Sequence, residues 1–243
     1  MLDFSQFFLY FKTYGWNGGG INVDDVSQEP NGRELAVQAA GRGDRDGVYL
    51  GLISAGQAGQ SVSDSDLFRL LVKADNSAIE RYSREAEEAG RRNDQDGVQA
   101  AQVMLEAHRE RLVMDGRELI SSQTPPLHPE AASLEFWQAS WDKVRQGESA
   151  GSPDGLLITA FHVASKGGRV DDGDLYRSLS QEYGAKATRM GEIYAKRTNP
   201  TNETRIYYQT HIGAAADRAN YYQKRIPPSQ PPPGGSPPGA GKR

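Results

Sequence analysis

The sequence predicts a mainly α protein, an irregular multi-helix bundle of roughly seven helices with a glycine-rich, partly irregular N-terminal section and a disordered Pro-rich C-terminal tail. Three observations carry that prediction. Between Ser63 and Ile120 apolar residues recur three or four apart with no proline between them: Leu67, Leu71, Ala74, Ala78, Tyr82, Ala86 and Ala89, then Val98, Ala101, Leu105, His108 and Leu112. The stretch Leu156 to Ala164 is apolar nearly all round, as a buried helix is. Tyr208, Ile212, Ala215, Ala219, Tyr222 and Ile226 alternate steps of four and three, the spacing of helix-on-helix packing.

Taken in order, residues 2 to 16 place Phe4, Phe7, Phe8, Phe11 and Tyr14 on one helical face, which reads as a ring-rich side docked into a core. A membrane-surface helix would carry more basic residues opposite than Lys12 alone. Glycines 18 to 20 end that helix, and Ile21 to Val23 suggest a short strand before Asp24 and Asp25. Asn31 has the chemistry of an N-cap for a short helix stopped by Gly41. Val48 to Ile53 is the best strand candidate, weakened by Gly51, and Ser54 to Ser63 has a loop composition.

The central hairpin starts at Ser63 or Ser65. A brief break is expected at Asp75 and Asn76, because Ser77 and Glu80 spell a capping box, and the ends fall at Gly90 and Gly116. After the rigid connector Thr124 to Pro129, a helix carries Leu134, Trp137, Trp141 and Val144 on one side. Ser152 and Pro153 open the apolar helix that Gly167 and Gly168 close. Asp174 caps a helix through Tyr194 with a kink expected at Gly184, and the last helix stops at Pro227. We expect one domain over residues 1–226, with an internal boundary near 121–129, and a disordered tail over 227–243. No repeat is seen at solenoid periods.

Composition narrows the classes. The hydrophobic fraction is 37% and the formal charge −4, with basic and acidic residues interleaved, so nucleic acid is not an expected partner. No window approaches the roughly 18 apolar residues of a membrane span, and the first residues lack a positively charged leader. The expectation is a cytoplasmic protein, or one exported without a classical signal peptide. With no cysteine, thiolate metal sites and cysteine nucleophiles are excluded.

Local motifs are few. Gly147-Glu148-Ser149-Ala150-Gly151 is similar over five residues to the nucleophile elbow of carboxylesterases in the α/β-hydrolase family. That elbow needs an apolar strand running into the serine, whereas an amphipathic helix precedes it here, so a loop between helices is the simpler reading. His108, His128, His162 and His211 form no zinc signature. Asp44-Arg45-Asp46-Gly47, Asp94-Gln95-Asp96-Gly97 and Asp171-Asp172-Gly173-Asp174 lack the terminal carboxylates of a calcium loop and read as capped turns. Arg225, Pro228 and Pro231 have the spacing of a polyproline ligand for an SH3-type groove.

Two functions follow as expectations. The first is an interaction or adaptor protein that binds another protein through amphipathic helix faces, with Trp137, Trp141, Arg225, Pro228 and Pro231 as binding candidates and no metal or cofactor. The alternative is a hydrolase, such as an exported effector, whose dispersed site draws on Asp24, Asp25, His162, His211 and Ser149.

Overall fold

The computed structural model describes residues 31–122 and 133–228, and all of the regular structure in them is helical. Eight helices are described: α1 (Gly32–Gly41), α2 (Arg45–Gln57), α3 (Asp64–Arg91), α4 (Gln95–Ser121), α5 (Leu134–Arg145), α6 (Pro153–Ser165), α7 (Asp172–Ala195) and α8 (Asn202–Gln223). The mainly α prediction therefore holds. Asp24, Asp25, His128, Pro231 and the aromatic stretch Phe4 to Tyr14 lie outside the described residues.

The expected strand Val48 to Ile53 is a correction, because it forms the middle of α2. Val48, Tyr49, Leu52, Ile53 and Ala55 are all buried, so the run is apolar on nearly every side and carries no period that separates a buried strand from a buried helix. α2 also takes in Ser54 to Gln57, which had the composition of a loop. α3 runs without a break through Asp75 and Asn76: Asp75 turns inward to Arg45 and His108, and Asn76 Nδ2 bonds back to the Val72 carbonyl. α4 passes Gly116 to end at Ser121, and α7 is continuous through Gly184.

The eight helices are the same unit used twice. Two short helices and then two long ones make up each half, and α2–α3 and α6–α7 align without a gap at a constant separation of 108 residues, as from Gly59 to Gly167. Both of those glycines have positive φ, +78° and +83°. At the same separation stand Val62 and Val170, the N-caps Ser63 and Asp171, and Leu67 and Leu175. Phe68 matches Tyr176, Arg69 matches Arg177, and Leu71 matches Leu179. In α4 and α8 the buried positions coincide one residue closer, as Ala101 with Tyr208, His108 with Ala215, and Asp115 with Tyr222. Equivalent helices also pack on one another, α2 on α6 and α4 on α8. A Cβ on Gly56 would lie 2.8 Å from the carbonyl oxygen of its equivalent, Ala164, which is the contact an approximate two-fold relation requires.

The halves fill their short hairpins differently. On α1 the buried positions include Ala36 and Ala39, and α1 approaches α2 so closely that a Cβ on Gly51 would lie 2.5 Å from Ala36 N and 2.7 Å from Gly32 O. On α5 the buried residues are Trp141 and Val144, and the indole supplies the volume that close backbone approach supplies in the first half. Gly51→Ala gains roughly 1 kcal/mol of helix propensity, yet its methyl meets backbone that cannot turn aside. A net loss of about 1–3 kcal/mol in urea unfolding is expected. A stabilised G51A protein would refute the close crossing.

α6 lies at the centre, as its composition predicts: Leu156, Leu157, Ala160, Phe161 and Val163 are fully buried. The Asp-Gly turns are caps. Asp94 Oδ1 accepts from Gly97 N at 2.9 Å and Asp171 Oδ1 from Asp174 N at 3.1 Å. Asp44 makes no such bond; its carboxylate accepts instead from Arg218 of α8 at 2.9 Å.

Candidate functional site: a polar seam between the two halves

The first residues of α2 carry two charges in succession, and both Arg45 and Asp46 are buried, so both must find partners inside. Arg45 turns to its own half. Its Nη1 donates to Asp75 Oδ2 at 2.5 Å and also to Asp115, joining α3 to α4. Asp75 is fully buried, and its second oxygen takes Nδ1 of His108 at 2.8 Å, with the His108 ring stacked on Tyr82.

Asp46 turns to the other half. It accepts from the Tyr183 hydroxyl at 2.8 Å, the Tyr222 hydroxyl at 2.7 Å and Arg218 Nη1 at 3.2 Å, so four polar groups from three helices close on one site. Tyr183 and Tyr222 stack at 5.9 Å and stand where the first half has Asp75 and Asp115. An acid pair that receives a cation has thus become a phenol pair that donates to an anion.

The electrostatics follow from burial. Burial alone would lower Arg45, but the hydrogen bond to Asp115 and the charges of Asp75 and Asp115 raise it above its ordinary value. Burial pushes the Asp115 carboxyl up to about 6 against the pull of Arg45. Tyr183 and Tyr222 are raised by burial and by the nearby Asp46 charge, so they remain proton donors. Burial holds His108 below the usual imidazole range although Asp75 pulls the other way.

Further along the seam the balance becomes basic. Arg111 of α4, Lys186 of α7 and His211 of α8 make no ion pair or hydrogen bond among the described residues, and the charge of Arg111 acts on both Lys186 and His211. Lys186 is depressed by burial and then by Arg111, while Asp154 and Asp46 pull it upward. His211 is lowered to about 4 by burial, Lys186 and Arg111, and its ring meets the edge of Tyr207 at 4.6 Å.

The remaining candidates lie apart from this seam. His162 is stacked on Trp137 at 4.1 Å, with its Nδ1 3.5 Å from Asp64, and burial lowers it against the pull of Asp64. Ser149 donates to Glu182 Oε1 at 2.6 Å, and the Ala150 N–H reaches the same oxygen at 2.8 Å, so Glu182 pins the glycine-rich loop onto α7. That loop borders a cavity of about 170 Å³ shared with Ser178, Gln181 and Arg189. Trp141, at 1% exposure, belongs to the core and offers no face to a partner. Trp137 is partly buried against it. Arg225 lies 3.7 Å over the ring of Tyr221, and Pro228 is exposed.

Sequence reasoning missed Arg45, Asp46, Asp75 and Arg218. The available signal was charge at positions whose neighbours are apolar all round: Arg45 and Asp46 precede Val48, and Asp75 follows Ala74 within the stripe of α3. Among the described residues no group of three His, Asp or Glu side chains is arranged as metal ligands, and no helix is long and apolar enough to cross a membrane. Compared with known proteins, the chain matches no family model, no curated protein and no solved structure.

Proposed function

We propose that this chain is an interaction protein that binds another protein through the outer face of its first long hairpin. The observation that carries this reading is on α4. Val113 and Ile120, two turns apart, are 54% and 70% exposed, and Met114 beside them is 64% exposed, while the opposite side of the helix holds Ala101, Leu105, His108 and Asp115 in the interior. Large apolar side chains kept in water on a helix already anchored by its other face are what a docking partner covers. The buried charges of Arg45 and Asp46 are meanwhile taken up in ion pairs that span the bundle, which suits a rigid scaffold.

The placements lend a hydrolase less support. The Ser149 hydroxyl faces a carboxylate, and His108, His162 and His211 sit in three separate environments.

The test uses the full chain. A photo-crosslinking residue is placed at Met114 and, as a control, at exposed Glu87 of α3; the captured protein is then purified and its affinity measured. Crosslinking at 114 but not at 87, with affinity at least tenfold weaker for V113E/I120E at unchanged melting temperature, is the expected result. Equal capture at both positions, or full affinity in the double variant, rules the reading out.

A further inference from the structure

We infer that the cavity between the glycine-rich loop and α7 is a binding site for a primary ammonium group on a short alkyl chain, with Glu182 as its counter-ion. The inference is independent of the apolar face of α4, because none of the residues it uses lies on that helix.

The carboxylate is the first observation. Glu182 is 6% exposed and forms no ion pair among the described residues. Its Oε1 takes both bonds from the loop, from the Ser149 hydroxyl at 2.6 Å and from the Ala150 N–H at 2.8 Å. Its Oε2 is buried with no hydrogen-bond partner, on a side chain that lines the cavity of about 170 Å³. A buried carboxylate with one oxygen unbonded and no cation beside it is costly. Tethering the loop does not account for that cost, since a glutamine would offer the loop the same acceptor without the charge.

The duplicated architecture shows that the cavity is an addition. In the first half residues 42–44 join the two short helices, and a Cβ on Gly43 would lie 2.9 Å from the backbone N of Ala78, so that connector rests against α3. In the second half residues 146–152 make the join, four residues longer, and a Cβ on Gly147 or Gly151 would meet nothing within 4 Å. The longer connector includes Ser149 and Ala150, the two residues that hold Glu182. On the helix beneath, Glu182 stands where the first half has Ala74, and Ser178 where it has Leu70. Both counterparts are apolar, so a longer loop and two polar side chains together turn a packed joint into a polar hollow.

The lining selects the ligand. Ser178, Gln181 and Glu182 are spaced three and four apart on one face of α7. The Ser178 hydroxyl and the Gln181 amide make no hydrogen bond among the described residues, so with Glu182 Oε2 they match the three N–H donors of an ammonium. Val144, Leu156 and Ala185 supply an apolar wall for a carbon chain. The charged groups around the hollow are Glu182, Glu148 and Arg189, a balance of one negative charge that favours a cation. A volume of about 170 Å³ is roughly that of five or six waters, room for a chain of about four carbons and a nitrogen.

The experiment follows the Ala150 amide by proton–nitrogen correlation NMR in the full chain, while butylammonium chloride is added near neutral pH against sodium chloride at constant ionic strength. Butylammonium should move that resonance saturably, and n-butanol, the same chain without the charge, should not. E182Q should weaken binding at least about tenfold. Q181L changes an exposed position that leaves folding intact, and it should weaken binding at least about threefold. R189Q removes a like charge and should leave binding unchanged or tighter, and exposed R69Q should leave it unchanged. N-acetyl-lysine methylamide forms the second arm. Tighter binding than butylammonium means the ammonium is carried on a polypeptide, and weaker binding means it belongs to a free amine. No saturable movement of Ala150 at tens of millimolar butylammonium, an equal response to n-butanol, or full binding in Q181L or E182Q overturns the assignment.

Discussion

Arg45→Met is expected to cost about 3–5 kcal/mol of unfolding free energy at pH 7.5, because it leaves two buried carboxylates facing each other with their shared cation gone. Asp75 is fully buried and Asp115 nearly so, and water cannot replace the guanidinium without opening the contact between α3 and α4. The charge, more than the lost packing, is the cause, since methionine keeps most of the volume. R45M/D75N/D115N should therefore recover most of the loss; if it is as unstable as R45M, packing is responsible and the electrostatic account fails.

Acidification gives an independent check. Asp115 in the folded protein is already pushed up to about 6, above the ordinary carboxylate value near 3.9. The folded form therefore keeps a proton that the unfolded chain has released, so this group adds stability as pH falls from about 6 toward 4 and withdraws it as pH rises through about 6. Without Arg45 the carboxyl moves higher still, and the deficit of R45M relative to wild type should shrink steadily between pH 7.5 and 5. His211, lowered to about 4, acts in the opposite sense: the unfolded chain takes its proton first, and stability falls between about 6.5 and 4. That contribution is common to both proteins and cancels in the difference.

Helical periodicity made most of the bundle legible in advance, because a surface helix must alternate between core and water. α3, α4 and α8 each have one buried stripe and one polar side, and the spacing of Leu67, Leu71 and Ala74 or of Tyr208, Ala215 and Tyr222 writes that geometry directly into the chain. α2 was misread for the same reason. Its open face falls on Gly47, Leu50, Ser54 and Gln57, so Val48 to Ile53 taken alone is apolar throughout, and Gly51 serves the close passage of α1 where a strand would have found it a weakness. The duplication lies beyond solenoid periods and rests on similar side chains more than identical ones. Val62, Leu67 and Leu71 repeat as Val170, Leu175 and Leu179, while other buried positions change character, as Asp75 to Tyr183 and Ala74 to Glu182. The polar seam was illegible for a deeper reason. Arg45, Asp75 and Asp115 are scattered over three helices, and nothing in linear order says that two acids and a base 30 and 70 positions away share one bond network.

Asp46→Ala should prove about as damaging as the loss of Arg45, again about 3–5 kcal/mol, but by detaching one half of the molecule from the other. Asp46 is the only residue of α2 whose carboxylate receives both phenols, and its partners Tyr183, Arg218 and Tyr222 belong to α7 and α8. Alanine there orphans two buried hydroxyls and leaves the Arg218 guanidinium with Asp44 as its carboxylate. Asp46→Asn keeps an acceptor of the same shape without the charge, so it should cost clearly less than the alanine. Tyr183→Phe and Tyr222→Phe should each cost about 1.5–3 kcal/mol, the range for hydrogen bonds to a charged group. The decisive measurement is a double-mutant cycle of D46A with R218M. Since either single change already breaks the ion pair between them, the double variant should lose at least about 1 kcal/mol less than the two single losses added together. Additive losses would mean that the buried acid sits among its partners without tying them, and that the halves are held by the packing of α2 on α6 and of α4 on α8.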